Sequence, residues 1–342
     1  MPHQPLTTEQ AADLLADPAQ VEALATDALL VVDTRAGGPL PVAARLPLAG
    51  APCVTVALAE DPAAPGLAAF DVVLLEGDEQ AEASHRHVAT VDAWAALDQL
   101  SAAVAAQPRA ALVAVQVLRA TAVLPVPQGL VVESLAYSTL QSGPDFAAWR
   151  ATRAPREPRA AEGPAVLVER TGGHLELVLN RPAVHNAYSV AVRDALVEGL
   201  ELATVDPGIE SVGLSGRGPS FSSGGDLTEF GTFANPAGAH VVRTTRSAGR
   251  LLAAVGKPVR ARAHGSCRGA GVELTAFATE VVAAAGTTFA LPEVAMGLVP
   301  GAGGTVSLPR RIGRQRTAWL ALTGQVLDAA RATRWGLVDR LD

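Results

Sequence analysis

Glu273 and Glu293 each stand beside a glycine-rich turn, a pairing that suits proton transfer at an activated carbonyl. The first lies in HGSCRGAGVEL (264–274), where a strand-like run passes through a glycine-rich turn into a helix. The leading N–H groups of a helix have no intrahelical partner and carry the positive end of its dipole, so an oxygen anion is favoured there. The second lies in FALPEVAMGLVPGAGGTVSLPRRIG (289–313), after a proline at the end of a strand-like run, and GAGG opens a further helix. A third segment, GRGPSFSSGGDL (216–227), ends a strand in glycines and serines with Phe221 as an anchor. Such a loop can turn backbone N–H groups toward a ligand without side-chain obstruction. Taken singly, each is also the pattern of something ordinary: a surface turn, a first-turn helix acid worth about 0.3–1 kcal/mol, a solvated loop glutamate.

Two other chemistries fail on order or spacing. Gly265-Ser266-Cys267-Arg268-Gly269 has the form of a nucleophile elbow, whose partner histidine follows it in α/β-hydrolases. The seven histidines here, at 3, 85, 87, 174, 185, 240 and 264, all precede Cys267. Gly256-Lys257 is followed by Pro258, without the hydroxyl that holds magnesium or the upstream glycine of a phosphate loop. Cys53 and Cys267 are far apart and in no metal-ligand spacing, which predicts neither a disulfide nor a zinc site and points to a reducing setting.

The elements that must position these residues differ between the two halves. A helix is expected from Thr8 to about Asp27, then short β-like runs at LLVVDT (29–34), CVTVAL (53–58) and FDVVLLEG (70–77). From Val91 the pattern turns helical, with Trp94, Leu97 and Leu100 on one face, and two amphipathic stretches follow at 128–143 and 144–153. Residues 150–163, RATRAPREPRAAEG, read as a linker. Beyond it, AVLVER (165–170) and LELVLN (175–180) predict a hairpin around Gly172-Gly173, and strands and helices then alternate. A helix over 189–204, a strand SVGLSG (211–216), a helix over 240–254 and a strand PVRARAHG (258–265) lead into the helix VELTAFAT (272–279) and the strands VVAAAG (281–286) and TTFAL (287–291). Repeated strand–turn–helix units predict an α/β domain. LDQLSAAVAAQPRAALVAV (97–115) faintly echoes SAGRLLAAVGKPVRARAHG (247–265), the pattern of a degenerate duplicated module or of two unrelated helix–strand units.

The chain has 342 residues, enough for two domains at about 100–200 residues each. Hydrophobic residues make up 49% and charged ones 18%, which supplies a sizeable core. The net charge of −7 argues against a nucleic-acid surface. Lys257 is the only lysine. The N-terminus lacks the basic-then-apolar order of a signal peptide, and no uninterrupted apolar run reaches the ~18 residues that span a bilayer. The expectation is a cytoplasmic protein without membrane or nucleic-acid partners.

Together the segments resemble the crotonase, or enoyl-CoA hydratase/isomerase, superfamily over about residues 166–338. The matching order is LVLNRPAVHNAYS (177–189), FSSGGDL (221–227), KPVRARAHGSCRGAGVEL (257–274), FALPEVAMGLVPGAGGT (289–305) and LTGQVLDAARATRWGLVD (322–339). The resemblance implies a fold of repeated ββα turns over 164–342, preceded by a smaller α/β N-terminal domain over 1–150 and the linker 151–163. It implies a small-molecule substrate held as a coenzyme A thioester, with no separate cofactor and no metal. The N–H groups of Gly225 and Ala270 would form an oxyanion hole, Glu273 and Glu293 would be the acid and base, and Ala187, Ser223, Gly224, Asp226, Gly269 and Arg268 would bind the substrate or its coenzyme A moiety. Members that shift a double bond, hydrolyse or decarboxylate commonly lack one of the two glutamates, so possession of both favours addition of water to an α,β-unsaturated acyl-CoA. Double-bond isomerisation, hydrolysis or oxygenation of the thioester, and a non-catalytic assembly role, are the alternatives. By analogy the chain forms a homo-oligomer, a trimer or a multiple of one.

Three departures stand out. Cys267-Arg268 replaces small or apolar residues, and Arg268 is read either as a contact to an acyl carboxylate or coenzyme A phosphate or as part of a subunit interface. The family's helical tail after the GLVD segment is absent before Asp342. Residues 91–153 are expected to replace that tail and to close the pocket with Tyr137, Leu140, Phe146 and Trp149.

Overall fold

A computed structural model describes residues 4–84, 87–154, 163–232 and 235–342; most of the expected linker, residues 155–162, lies outside these. Five strands, Leu6–Thr7, Leu29–Asp33, Val54–Ala59, Val72–Glu76 and Val88–Thr90, pair in sequence order as a wholly parallel sheet. Parallel strands covered on both faces read as continuous apolar runs, and their alternate residues divide between two cores. Leu30, Val32, Ala57 and Val73 pack with Ala11, Leu15 and Leu48 of the helices Thr8–Ala16 and Val42–Ala49. Leu29, Val31, Val56 and Leu74 share the opposite core with the helices Ala93–Ala106 and Pro108–Thr121, and this core continues into the C-terminal half through the helix Arg314–Thr323. Asp71, fully buried, clamps that junction: its carboxylate accepts from Arg119, Arg314 and the Thr55 N–H and hydroxyl.

After the described break, strands Val166–Thr171 and His174–Leu179 form the expected hairpin and head a six-stranded sheet. Ser211–Gly216, Val259–Ala263, Glu280–Ala283 and Arg340–Leu341 add to it in parallel. Two strand–strand–helix units follow one another. In the first, Val259–Ala263 joins the large sheet, Ser266–Arg268 enters a second, three-stranded sheet, and the helix Ala270–Thr275 follows. In the second, Glu280–Ala283 and Thr288–Ala290 divide the same way before the helix Gly304–Ile312. The fold is α/β, with the ββα repetition anticipated over this stretch.

Three expectations about elements need correction. The first helix is two, Thr8–Ala16 and Pro18–Ala23, because Pro18 has no N–H for a continuing helix and Asp17 caps the second. The helix expected over 240–254 is also two, Pro236–Thr245 and Ala248–Ala254, since Ser247 turns extended and accepts from the Arg250 N–H. The echo between the halves does not extend to structure. Residues 108–121 form a helix opened by Pro108, with Ala111, Val115 and Leu118 buried at helical spacing, whereas the corresponding 259–263 is a strand. Among the described residues no single helix is long and apolar enough to cross a membrane.

Candidate active site

The helix Gly304–Ile312 begins at Gly303, whose φ of +112° suits glycine, and no side chain of its own turn caps it. Its unpaired N–H groups are instead satisfied by two distant carboxylates. Glu273, on the helix Ala270–Thr275, accepts through Oε2 from Ala302 N (2.7 Å) and Gly304 N (2.8 Å). Glu133, on the helix Val126–Gln141, accepts through Oε1 from Gly303 N (2.7 Å) and through Oε2 from Thr305 N (2.8 Å) and Thr305 Oγ1 (2.7 Å). A Cβ on Gly304 would lie 2.6 Å from Glu273 Cγ, so glycine there is what lets the carboxylate reach the helix end.

Glu293 sits across the Gly269 turn: a Cβ on Gly269, at φ +45°, would come within 2.3 Å of Glu293 Oε1. Among the described residues its Oε2 is buried without a partner, and its own N–H is the backbone donor beside its carboxyl. All three acids are buried, Glu133 and Glu273 at 2% exposure and Glu293 at 8%. Burial raises each carboxyl. Glu133 reaches about 8, with the Glu273 charge adding to burial and the Thr305 and Gly303 donors opposing it. Glu273 reaches about 7, burial being opposed by the Gly304 and Ala302 N–H groups. Glu293 is raised well above the usual range by burial first and the Glu273 charge second. The difference lies in the donors: Glu273 has two and Glu293 none from neighbouring residues, so Glu293 is the carboxyl that holds its proton more firmly.

Glu273 and Glu293 line one cavity of about 190 Å³ with Gly225, Ala270, Tyr137, Tyr188, Phe230 and Arg243. Among the described residues the N–H groups of Gly225 and Ala270 have no hydrogen-bond partner. The loop that carries Gly225 is fixed by fully buried Phe221, whose removal from water contributes about 1.5–3 kcal/mol. It is also stitched to the other turn by Arg268 N to Ser222 O (2.9 Å) and Ser222 N to Ser266 O (3.2 Å). Thus the two glycine-rich turns and both expected glutamates meet at one cavity.

The other anticipated residues lie around it rather than in its lining. Ser223 N donates to His185 O (2.8 Å), Ala187 N donates to Val184 O (3.1 Å), and the Asp226 carboxylate accepts from Thr228. A Cβ on Gly224 would lie 3.1 Å from Arg268 O, so Gly224 and Gly269 are where the turns touch. Arg268 points its Nε to Ser266 Oγ and Nη2 to Thr288 Oγ1, away from the cavity lining, and Nη1 is buried without a partner. Tyr137 lines the cavity, Leu140 is buried in the core, and Phe146 and Trp149 line an adjoining cavity of about 780 Å³ that shares Gln141 and Phe230. Sequence reasoning missed Glu133, Tyr188 and Arg243. An acid inside the apolar stretch LVVESLAY was the available signal for Glu133.

The family model for enoyl-CoA hydratase/isomerase matches residues 169–342. The 2,3-dehydroadipyl-CoA hydratase of Escherichia coli (strain K12) is 36% identical over 173 residues, 51% of this chain and 67% of that one. The 1,2-epoxyphenylacetyl-CoA isomerase of the same organism is 35% identical over 170 residues, 48% of this chain and 65% of that one. A crystal structure of enoyl-CoA hydratase from Thermoplasma volcanium GSS1 aligns over 53% of this chain and 72% of that chain, with 31% identity and a TM-score of 0.49. With a family match over half its length, the chain belongs to the enoyl-CoA hydratase/isomerase family and is an enzyme of the crotonase superfamily.

Proposed function

We propose that the protein hydrates an α,β-unsaturated acyl-CoA to a 3-hydroxyacyl-CoA. One observation carries this reading: two buried glutamates with unequal hydrogen-bonding share a cavity with two unpartnered N–H groups. Glu273, held toward the anion by two donors, takes a proton from water through Oε1, which makes no hydrogen bond among the described residues. The water oxygen bonds to the β-carbon, and the double-bond electrons move onto the thioester oxygen. The Gly225 and Ala270 N–H groups receive that oxyanion; losing one such donor typically costs about 3–4 kcal/mol of transition-state stabilisation. Protonated Glu293 then delivers its proton to the α-carbon. A proton passing from Glu273 back to Glu293 restores the starting state. No separate cofactor enters these steps.

Helices Val126–Gln141 and Pro144–Ala151 are the cover in this reading, supported by Tyr137 and Gln141 in the cavity lining. Glu273→Gln and Glu293→Gln test the mechanism. Each should lower kcat/KM for crotonyl-CoA by about 10²–10⁴, followed as loss of the conjugated-thioester absorbance. An isomerase would respond to only one of the two changes. Failure of the wild type to hydrate crotonyl-, longer or aromatic enoyl-CoA would end the proposal.

A further inference from the structure

Two arginines line the active-site cavity, and their surroundings differ. Arg193 is paired with Asp194, Nη2 to Oδ1 at 2.9 Å. Arg243, on the helix Pro236–Thr245, has no carboxylate within ion-pair distance among the described residues. Its Nε donates to Ser134 Oγ (3.2 Å) and its Nη2 to Ser138 Oγ, both neutral hydroxyls, while Nη1 makes no hydrogen bond among the described residues. The guanidinium lies over the Tyr137 ring, 4.6 Å from its centroid. Ser134 is also bonded to His240 Nδ1 (2.9 Å), so the hydroxyls that hold the arginine are themselves fixed.

A guanidinium largely withdrawn from water with no paired carboxylate is unfavourable, and burial accordingly lowers the pKa of Arg243, with Tyr137 and the more distant Glu133 charge opposing. The same cavity holds Glu273, which as the ionised base would repel an anionic substrate unless a cation offset it. We infer that Arg243 binds a carboxylate carried by the acyl group, making the preferred substrates ω-carboxyacyl-CoA thioesters. The planar fork with a free Nη1 suits a carboxylate better than an ammonium would. The cavity that contains Arg243 is also the one that contains Ala270, Glu273 and Glu293, which puts the arginine at the acyl end. This inference rests on the reading of that cavity as the acyl-CoA site.

The test is binding of saturated, non-reacting pairs by calorimetry: adipoyl-CoA against hexanoyl-CoA, and glutaryl-CoA against pentanoyl-CoA, with free CoA as a third arm. The wild type should bind the carboxylated member of at least one pair ten-fold or more tightly. Arg243→Gln should erase that ratio, and Arg243→Lys, keeping charge without the fork, should retain part of it. Equal or tighter binding of the neutral members by the wild type would overturn the inference, whatever the variants do. So would an Arg243→Gln protein that weakens both members and free CoA by one common factor, which would mark a structural or CoA-phosphate role. Because the analogues do not react, a wild type that shows the ratio yet hydrates no enoyl-CoA would refute the proposed reaction and leave the specificity standing.

Discussion

Glu133→Gln separates two opposed contributions of one buried carboxyl. Glutamine keeps the shape but offers one acceptor oxygen, where Oε1 served Gly303 N and Oε2 served Thr305 N and its hydroxyl. One backbone N–H is left facing an amide group, a pH-independent cost of about 1–3 kcal/mol. Titration works the other way. Burial and the Glu273 charge lift this carboxyl from 4.5 to about 8 in the fold, and unfolding returns it to the ordinary value. Between those values the unfolded chain binds fewer protons than the native one. The stabilising contribution is therefore whole below about pH 4.5 and is lost as pH rises through about 8. At 1.36 kcal/mol per pH unit the interval is worth about 5 kcal/mol, the order of magnitude for wild type relative to a non-titrating variant. If the lost hydrogen bond costs about 2 kcal/mol, the two stabilities cross near pH 6. Urea midpoints at pH 5, 6.5 and 8 should show the variant weaker at pH 5 and stronger at pH 8. A variant weaker by one constant margin across that range would refute the reasoning, because it would mean that the N–H donors keep Glu133 ionised in the fold.

Gly269→Ala should cut kcat for crotonyl-CoA by about 100-fold, the scale of an ångström-sized misplacement of a reacting group. The new Cβ, on a backbone at φ +45°, would meet Glu293 Oε1 at 2.3 Å; full activity with an unchanged melting temperature would contradict that geometry. Asp71→Asn removes the carboxylate charge that, among the described residues, alone pairs with Arg119 and Arg314 at the junction of the two halves. It should cost about 3–5 kcal/mol in urea unfolding, and a loss under 1 kcal/mol would show that the clamp is energetically idle.

Much of the site was legible because its chemistry is local. Ala270 and Glu273 share one turn and helix start, Gly225 lies on a loop whose glycines announce it, and Glu293 follows a proline at a strand end. Nearness in sequence keeps such pieces recognisable one at a time. Glu133 was not legible, because its partners are Gly303 and Thr305 in the other half and an acid in an amphipathic helix usually faces water. Arg243 stayed hidden for a related reason: its serines are more than a hundred positions away, and its character depends on the carboxylate it lacks. In the fold, the apolar strands near the N-terminus were plain, whereas the end of 97–115, strand-like only through its faint echo of 247–265, belongs to the helix Pro108–Thr121. Apolar runs of that length fit either element until burial on one face decides.

The shared cap at Gly303–Thr305 has a consequence for how long the chain takes to become itself. Glu133 and the groups it binds are separated by 170 and 172 positions. At a synthesis rate of about 5–20 residues per second, roughly 10–30 s pass between the emergence of the acid and that of its donors. Through that interval Glu133 and Tyr137 wait on a helix whose docking surface has not been made. Assembly of the cavity is thereby tied to the translation of Gly303–Thr305, and nascent chains that stall before this turn carry the cover helix without a site to close.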